Sequence, residues 1–576
     1  MDYVLNAVAS GRENYYTGAV AEGEPPGRWY GAGAVAAGLS GEVDGQDMRA
    51  VFEHFVDPSD PAFGDPAGWD TASKLGHPGR KYISAEEIYQ RALEAEPHAD
   101  AERRDQLRVE ASQAERKNVA FLDATFSVQK SVTVLHTAFE SQEVTARRAG
   151  RLEEAEAWGR HRQAIEEGMW AGNRAMLDYL AAHAGYSRIG HHGGGAGRFI
   201  DAHDWIVTSF FQHDSRDHDP QLHIHNPILN RVKCSDGEWR TLDSRAMHRF
   251  RGAAAAVGER IMEEHISHAL GVEFATRPDG AAREIVGIPH AVMELFSSRT
   301  RAITPKTREL IEAYEAEFGH APNRLERDRL AQRATLATRR AKSHTGQTRE
   351  QMLRAWDQQL RAEIRGGLAT LAHEVLAKRA QALPPLTWSP VAVLETALAA
   401  VQEKKAGWTA PDLTREISNA LPDRLGITSG AQLTSLLDRL TSEGLKLAVA
   451  LDAARPGAGQ EPAAYRLANG QSAFQAPGAG LYATPGHVHT ERILVGATAA
   501  HGAAAMNPDA TARFFAQLTG LGVELGADQA AAVHGLLTSG AQLESLIGPA
   551  GTGKSFVLGA VAKAWRDPAL DRKSVV

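Results

Sequence analysis

Residues 213–225, which read His-Asp-Ser-Arg-Asp-His-Asp-Pro-Gln-Leu-His-Ile-His, have the composition and spacing of a metal site. His223 and His225 are two positions apart, so on a β-strand their side chains leave the same face while Ile224 points the other way. Three imidazoles that leave coordination positions open suit a metal that polarises a phosphoryl or carbonyl oxygen. We therefore predict a divalent metal (Mg, Mn or Zn) held by His213, His223 and His225.

A β-hairpin is the element that would bring the third histidine to the other two. Residues 205–213, WIVTSFFQH, are rich in β-branched and aromatic side chains, and Asp219-Pro220 is typical of a turn. His213 would then lie beside the other ligands. His218 falls in the predicted turn, where exposure to solvent is the rule, and we interpret it as a bystander. An exposed polar hairpin that collects histidines by chance is the alternative to a metal site.

The hairpin sequence FFQHDSRDHDPQLHIHNPILN resembles the three-histidine motif of the MobF family, conjugative relaxases of the TrwC/TraI type that nick plasmid DNA at a transfer origin. The resemblance covers roughly residues 1–365 and includes three further stretches, SDGEWRTLD at 235–243, LDATFSVQKSV at 122–132 and GEPPGRWYGAGAVAAGLSGEVD at 23–44. Ile224 departs from the family, which usually has threonine there. The side chain at this position is predicted to face away from the metal, so the departure should leave the metal site unaffected.

The resemblance implies a tyrosine nucleophile, whose phenol forms a covalent link to the 5′ phosphate and frees a 3′ hydroxyl. Tyr15 and Tyr16 match a family tyrosine pair just before the G-E-x-P-G-R-W segment, whereas Tyr3 corresponds by order to the first of two family clusters. Which tyrosine acts first stays open. Asp123 matches an acidic residue that the family places near the tyrosine and the metal, where it could accept the phenolic proton or orient a histidine.

The composition limits the classes of protein to which the chain can belong. It has 576 residues, a formal charge of −8 and one cysteine, Cys234, so a disulfide within the chain and a generally basic surface are both excluded. We expect a structural role for Cys234. Arg216 and Lys130 are candidate phosphate contacts, with salt bridges as the alternative. No signal peptide or membrane-spanning run is apparent, so we expect a bacterial cytoplasmic protein without membrane insertion.

The fold class that we predict is α+β, with an antiparallel sheet and the three-histidine site in an N-terminal relaxase domain, residues 1–300. Residues 301–383 should form a helical extension that ends at Pro384-Pro385. Residues 384–480 have the pattern of a winged-helix-like module. Residues 481–576 should run helix, helix, strand, loop, helix and begin a superfamily 1 helicase.

The helicase expectation depends on a phosphate-binding loop at residues 548–555, GPAGTGKS, which satisfies G-x-x-x-x-G-K-[ST] after the apolar run LESLI. The residues predicted to bind ATP and Mg²⁺ are Gly548, Gly551, Thr552, Gly553, Lys554 and Ser555. About twenty residues follow Ser555, so we expect the ATPase part to be incomplete and its hydrolysis negligible. The closing DRKSVV matches one reading frame of a sequencing adapter, which favours an artefactual end. The resemblance implies a strand before the first tyrosine cluster, and only two residues precede Tyr3, which favours a misassigned start codon.

The most economical interpretation is a relaxase that nicks and transfers one DNA strand through a phosphotyrosine. Its expected partners are single-stranded DNA at the transfer origin and the coupling protein of a type IV secretion system, and it could be transferred to the recipient cell with the DNA. A metal-dependent phosphodiesterase that uses water is the first alternative. A non-catalytic DNA-binding protein or secretion substrate is the second.

Overall fold

The computed structural model describes residues 24–77, 83–115, 119–190, 197–215, 217–278, 280, 282–338, 348–379, 384–452, 461–549 and 551–567. The chain forms two compact units. The first comprises residues 1–446 and 450–482, and the second comprises residues 447–449 and 483–576. The predicted boundaries near 300 and 383 fall inside the first unit and stay predictions.

The sheet that carries the histidine hairpin is antiparallel, with the strand order β2-β8-β6-β7-β3 and with β1 paired to β6. Strands β1 to β8 are Arg28–Tyr30, Phe121–Asp123, Phe126–Ser127, Tyr186–Ile189, Arg198–Asp201, Val207–Asp214, Pro220–His225 and Pro227–Leu229. Strands β9 to β14 are Val232–Lys233, Trp239–Arg240, Phe274–Thr276, Arg283–Ile285, Val449–Ala450 and Tyr482–Ala483. Strand β6 is central, and its apolar residues are buried on both faces.

Fifteen described helices belong to the first unit, and two of them are long. Helices α1 to α8 are Ala32–Ala36, Gly45–Phe52, Ala85–Ala95, Ala101–Ala114, Lys130–Arg148, Leu152–Ala184, Ser244–Leu270 and His290–Leu295. Helices α9 to α15 are Ser298–Phe318, Arg324–Ala337, Arg349–Leu360, Gly367–Ala377, Pro390–Lys404, Ala410–Ala420 and Gly430–Lys446. The mixture of a six-stranded antiparallel sheet, four two-stranded sheets and flanking helices confirms the predicted α+β class.

The long helices α6 and α7 cross where a glycine of one meets a glycine of the other. A Cβ on Gly172 would lie 2.4 Å from the carbonyl oxygen of Gly258, and a Cβ on Gly258 would lie 2.8 Å from that of Gly172. The ring of Phe126 on β3 is also within 3.0 Å of both hypothetical Cβ positions. Only glycine therefore allows the two backbones and the strand to approach this closely.

The end of α14 is fixed by side chains of α7. Arg260, which is fully buried, donates to the carbonyl oxygens of Ser418, Leu421, Pro422 and Asp423 at distances between 2.8 and 3.4 Å. The last carbonyl groups of a helix have no partner within the helix, so this guanidinium supplies the donors that α14 lacks. Glu264 similarly accepts from the backbone N–H groups of residues 425 and 426.

The second unit contains four helices, α16 to α19, which are Pro485–Thr498, Pro508–Gly520, Ala527–Thr538 and Lys554–Arg566. Three of these, α17 to α19, share an apolar core centred on Phe514, Val533 and Val557. The expectation of a strand at LESLI is wrong for the described residues: residues 543–547 form no strand, and Ile547 is 90% exposed. A strand needs a hydrogen-bonded neighbour, and none of the described residues pairs with this run.

Among the residues that the structure describes, no helix combines the length and the apolar character needed to span a bilayer.

Candidate metal centre

The hairpin of β6 and β7 carries the three predicted histidine ligands. On β7, Leu222 and Ile224 are fully buried, and the alternating positions put His223 and His225 on the opposite face with ring centroids 4.9 Å apart. The prediction that Ile224 faces away from His223 and His225 is thus confirmed. His213 lies on β6 where the register shifts between Gln212 and Asp214. Such a bulge bends the strand and redirects a side chain.

Each of the three histidines has its Nδ1 atom next to an oxygen acceptor. The distances are 2.5 Å from His213 to the carboxylate of Glu24, 3.0 Å from His223 to the carbonyl oxygen of Gln221, and 2.6 Å from His225 to the carboxylate of Asp123. A neutral imidazole whose Nδ1–H donates to such an acceptor keeps its lone pair on Nε2. The three contacts are those expected of the tautomer with its proton on Nδ1 and its lone pair on Nε2.

Asp123 is held in place from its other side by buried polar groups. Its Oδ1 accepts from the backbone N–H of Asn226 at 3.1 Å. The fully buried amide of Asn226 in turn contacts the carbonyl oxygen of Ala124, the side chain of Asn173 and the hydroxyl of Ser209. The position of the Asp123 carboxylate, and with it the orientation of the His225 ring, is thus fixed by the core of the sheet.

Burial and neighbouring groups shift the pKa values of His223 and Glu24. Burial, with a smaller effect of His225, lowers the pKa of His223 to about 4, so this ring is neutral at physiological pH. Burial would raise the pKa of Glu24, but the hydrogen bond and the charge of His213 outweigh it and keep that pKa below its usual value. The pair of Glu24 and His213 thus contains an ionised carboxylate.

A further group of potential ligands was missed by the sequence reasoning. Ligand atoms of His136 on α5, Glu166 on α6 and His213 lie within 4.8 Å of one another, the one such set of three among the described residues. His136 is fully buried and contacts the Glu166 carboxylate at 2.9 Å. The structure brings His223 and His225 together, and it places His213 in this neighbouring group. A histidine inside the apolar run SVTVLHTAFE was the only signal in the sequence.

The turn of the hairpin is anchored by residues far away in sequence. Buried Asp219 accepts from the backbone N–H of Ser298 at 2.7 Å and from its hydroxyl at 2.9 Å. The indole N–H of Trp356 donates to the carbonyl oxygen of His218 at 2.9 Å. Lys130 donates to the carbonyl oxygen of Pro220 at 2.9 Å, and burial lowers its pKa to about 8. Residues of helices α5, α9 and α11 thus all form hydrogen bonds with the turn between β6 and β7.

Several predicted site residues have other surroundings or cannot be placed. Tyr3, Tyr15, Tyr16 and Arg216 lie outside the described residues. Lys130 faces the hairpin backbone, as described above. Cys234 is a buried free thiol whose sulfur is 3.9 Å from the carbonyl oxygen of Val232, and it is absent from the ligand group around His136.

The phosphate-loop residues form a preorganised turn at the start of α19. Gly551 and Gly553 have φ angles of 81° and 79°, the left-handed region that favours glycine. A Cβ on Gly553 would also lie 2.6 Å from the amide nitrogen of Gln529, which donates to the carbonyl oxygen of Thr552 at 3.1 Å. Lys554, the first residue of α19, donates to the carbonyl oxygens of Gly548 and Pro549, both at 2.8 Å, and Ser555 follows it in the helix.

Comparison with known proteins gives two family matches. A family described as TrwC relaxase matches residues 1–363, and one described as AAA domain matches residues 524–573. The multifunctional conjugation protein TraI of Escherichia coli is 29% identical over 242 residues, and TraI of strain K12 is 27% identical over 245. Each alignment covers 39% of this chain and 12% of the relative, so the chain spans only a small part of these relatives.

Two solved structures extend the comparison. One, described as the conjugative relaxase TrwC in complex with mutant oriT DNA, is 20% identical with a TM-score of 0.40, and the alignment covers 62% of this chain and 96% of that one. Another, described as TrwC with oriT DNA in a metal-bound structure, is 21% identical with a TM-score of 0.37, covering 64% and 96%.

Proposed function

The chain belongs to the TrwC relaxase family, and from that premise we propose that it nicks one strand of DNA at a transfer origin and keeps the cut 5′ end on a tyrosine, which initiates conjugation. The observation that carries the proposal is the contact of each Nδ1 atom of His213, His223 and His225 with an oxygen acceptor. Three imidazoles oriented in this way are the donor set of an open metal site.

Neutral imidazoles are a donor set that a divalent metal accepts, and His213, which the structure groups with His136 and Glu166, would have to join His223 and His225 around the ion. His223 and His225 would hold it from β7, and His213 from β6, while Glu24 and Asp123 fix the ring orientations. Bound there, the metal would withdraw charge from a phosphoryl oxygen and make the phosphorus more electrophilic. His223 is already neutral because of burial, so it needs no proton loss before it binds a cation.

Tyr3, Tyr15 and Tyr16 are the proposed nucleophiles. The phenolic oxygen would attack the phosphorus, and the 3′ oxygen would leave and take up a proton. Both carboxylate oxygens of Asp123 have partners, His225 and the backbone N–H of Asn226. We therefore assign Asp123 the orientation of His225 rather than acceptance of the phenolic proton.

The test is a covalent-adduct assay on a tiled set of single-stranded oligonucleotides from the replicon that encodes the chain. The protein should remain attached to the 5′ end of one cut oligonucleotide, and mass spectrometry should find the adduct on residue 3, 15 or 16. Tyr→Phe keeps the ring and removes the attacking oxygen, so the corresponding variant should lose the adduct but retain DNA binding.

The triple variant Tyr3→Phe, Tyr15→Phe, Tyr16→Phe distinguishes the alternatives. Cutting at an unchanged rate without an adduct would identify water as the nucleophile and replace the relaxase by a phosphodiesterase. Absence of cutting by the wild-type protein with saturating Mn²⁺, while the oligonucleotides bind, would favour a non-catalytic DNA-binding protein. Tyr30→Phe is a matched control, since the Tyr30 hydroxyl donates to Asp178 at 2.6 Å and is outside the proposed chemistry.

We propose two further assignments outside the relaxase part. Residues 384–480 form a winged-helix module, supported by the order of α13, α14 and α15 and by hydrogen bonds from Trp408 to Tyr482 and from Leu451 to Leu481. The loop before α19 binds nucleotide phosphates through its N–H groups and Lys554. The coupling protein of a secretion system stays a predicted partner.

A further inference from the structure

A cleft of about 790 Å³ lies on the first unit, away from the histidine hairpin. One wall consists of the hairpin of β4 and β5 and the first turns of α7, and the other consists of residues 471–482. The second wall lies beyond residue 363, where the match to the relaxase family ends. The cleft is therefore a feature that the family match does not account for.

The wall formed by the later residues is firmly attached. The backbone N–H of Phe199 on β5 donates to the carbonyl oxygen of Ala473 at 2.7 Å. Arg249 donates to the carbonyl oxygen of Pro477 at 3.1 Å, and the backbone N–H of Ala468 donates to Asp201 at 2.9 Å. Hydrogen bonds from three different segments fix the width of the cleft, so a ligand would meet a preformed surface.

The lining of the cleft combines arginines and aromatic side chains with small and polar residues. Arg188, Arg245 and Arg249 line the cleft. Phe474 is 48% exposed at its edge, and the ring of Tyr465, 41% exposed, is 5.6 Å from it. What distinguishes these two rings from other exposed aromatic side chains is their position beside arginines, because a guanidinium next to an aromatic ring suits a phosphate followed by a base.

The two carboxylates in the lining are engaged by the protein itself. Asp243 caps α7 by accepting from the backbone N–H of Arg245 at 3.0 Å, and Asp452 accepts from the backbone N–H of Leu481 at 3.1 Å. Both interactions orient the carboxylates toward backbone donors. With a net charge of −8 for the whole chain, the three arginines form a local cationic surface rather than part of a general one.

Helix α7 connects this cleft with the proposed catalytic site. Its first turns place Arg245 and Arg249 in the cleft, while His248 and Arg251 line a smaller pocket of about 250 Å³ that also contains Asp123. Asp123 contacts the proposed ligand His225. A polyanion that crosses the N-terminal turns of α7 would thus pass from the cleft to the pocket beside the catalytic residues.

We propose that this cleft, formed by the β4–β5 hairpin, the start of α7 and residues 471–482, binds single-stranded DNA without sequence preference. The proposal rests on the proposed function for its ligand, and it adds a second DNA site to that function. Single-stranded rather than duplex DNA is favoured because bases must be unstacked to lie on Phe474 and Tyr465. Arg245 supplies a phosphate contact.

The test measures binding of a fluorescein-labelled oligothymidylate of about 20 nucleotides to the full chain by anisotropy over a range of salt concentrations. Phe474→Ala should weaken binding about tenfold through lost stacking. Arg245→Ala should reduce the slope of log K against log salt by about 0.7, the value for one phosphate contact. Phe318→Ala and Arg354→Ala, at positions 53% and 59% exposed outside the cleft, should bind like the wild type.

Two further results decide the proposal. Photocrosslinking with bromodeoxyuridine-substituted oligonucleotide should modify Phe474 or Tyr465. Wild-type affinity in both cleft variants, with circular dichroism showing native folding, would overturn the proposal, as would an equal loss in the two control variants. Equal competition by duplex and single-stranded DNA would also overturn it.

The covalent-adduct assay on the same variants separates this proposal from the proposed function. Adduct formation together with unchanged DNA binding in Phe474→Ala would refute the proposed DNA site in the cleft and leave the proposed relaxase chemistry standing. Reduced DNA binding in Phe474→Ala, without any adduct from the wild-type protein, would refute the proposed relaxase chemistry and support the DNA site in the cleft.

Discussion

The two carboxylates beside the proposed ligands, Glu24 and Asp123, each accept a hydrogen bond from a histidine ring and one from a backbone N–H group. Glu24 accepts from both the ring and the backbone N–H of His213, at 2.5 and 3.2 Å. Asp123 accepts from the ring of His225 and from the backbone of the next residue, at 2.6 and 3.1 Å. Each carboxylate therefore orients one ring relative to its strand, and loss of either charge should free that ring.

We expect Asp123→Asn to lower the affinity for Mn²⁺ by about ten- to a hundredfold, as loss of a carboxylate behind a histidine ligand typically does. The amide keeps one acceptor for the backbone of Asn226 but presents an N–H₂ group or a weaker acceptor to His225. Isothermal titration calorimetry measures the change. Asp236→Asn is the control, because Asp236 is 39% exposed and pairs with Arg240. Unchanged Mn²⁺ affinity in Asp123→Asn would refute the orienting role.

How far sequence predicts this site can be seen in individual residues. The alternation at 221–225 was enough to place His223 and His225 on one face, because strand geometry is local. Glu24, His136 and Glu166 were not predicted as neighbours of His213, because their proximity depends on how α5, α6 and an N-terminal segment pack together. Such long-range contacts leave no periodic signal in a single sequence.

At the scale of elements, the histidine hairpin depends on helices that follow it in the chain. Asp219 in the turn of the hairpin accepts two hydrogen bonds from Ser298 at the start of α9. Trp356 of α11 donates to the carbonyl oxygen of the preceding residue, His218. Because these contacts come from outside the hairpin, its conformation is determined by tertiary packing.

We expect Asp219→Ala to lower the free energy of unfolding by about 2 kcal/mol, since a buried charge-assisted hydrogen-bond pair is lost. Ser298→Ala removes only the hydroxyl donor and should cost about half as much. Urea denaturation followed by circular dichroism gives both values. Equal stability of Asp219→Ala and the wild type would show that the turn is held by other contacts.

A second element-level prediction concerns pH. Burial and the nearby Glu263 raise the pKa of Glu259 on α7 from 4.5 to about 7, with Arg283 and Arg415 acting in the opposite direction. Between pH 4.5 and 7 the unfolded chain loses this proton and the folded chain keeps it, so the contribution of Glu259 to stability falls as the pH rises. Glu259→Gln should remove this loss.

The variant should match the wild type below about pH 4 and exceed its stability by on the order of 3 kcal/mol above about pH 8. Thermal unfolding at a series of pH values tests this. Glu238→Gln, an exposed position, serves as the control. A stability gain that is the same at every pH would contradict the assigned titration.

Helices were more predictable than the strand before the phosphate loop. The helix Leu152–Ala184 has an apolar periodicity that is sustained over many turns, and such a pattern indicates a helix without knowledge of its neighbours. The expected strand at LESLI is absent from the described residues, although its composition suits one. Composition indicates the propensity of a run, whereas a strand exists only when a neighbour supplies its hydrogen bonds.

For the molecule as a whole, Arg260 links the relaxase part to the later helices. Its guanidinium reaches four carbonyl oxygens at the end of α14, at residues 418–423, from the middle of α7. The helices at 390–446 are therefore integrated into the first unit rather than attached by a free linker. This docking was not predictable, because the composition of both segments is that of ordinary amphipathic helices.

Arg260→Ala should lower the free energy of unfolding by about 3–5 kcal/mol, as removal of one partner from a buried charged network does. Chemical denaturation of the full chain measures it, and Arg251→Ala, exposed on the same helix, is the matched control. If both variants unfolded at the wild-type denaturant concentration, the contact between α7 and α14 would contribute little.

The crossing of α6 and α7 at Gly172 and Gly258 has a consequence for the genetics of the protein. Every missense change of a glycine codon adds at least one carbon atom, and at these positions that atom would lie 2.4 or 2.8 Å from the opposite carbonyl oxygen. No substitution of Gly172 or Gly258 is therefore conservative. In a saturation library selected for folded protein, we expect both positions to retain glycine alone, while Gly38 and Gly150, with open space around them, should accept Asn and Asp.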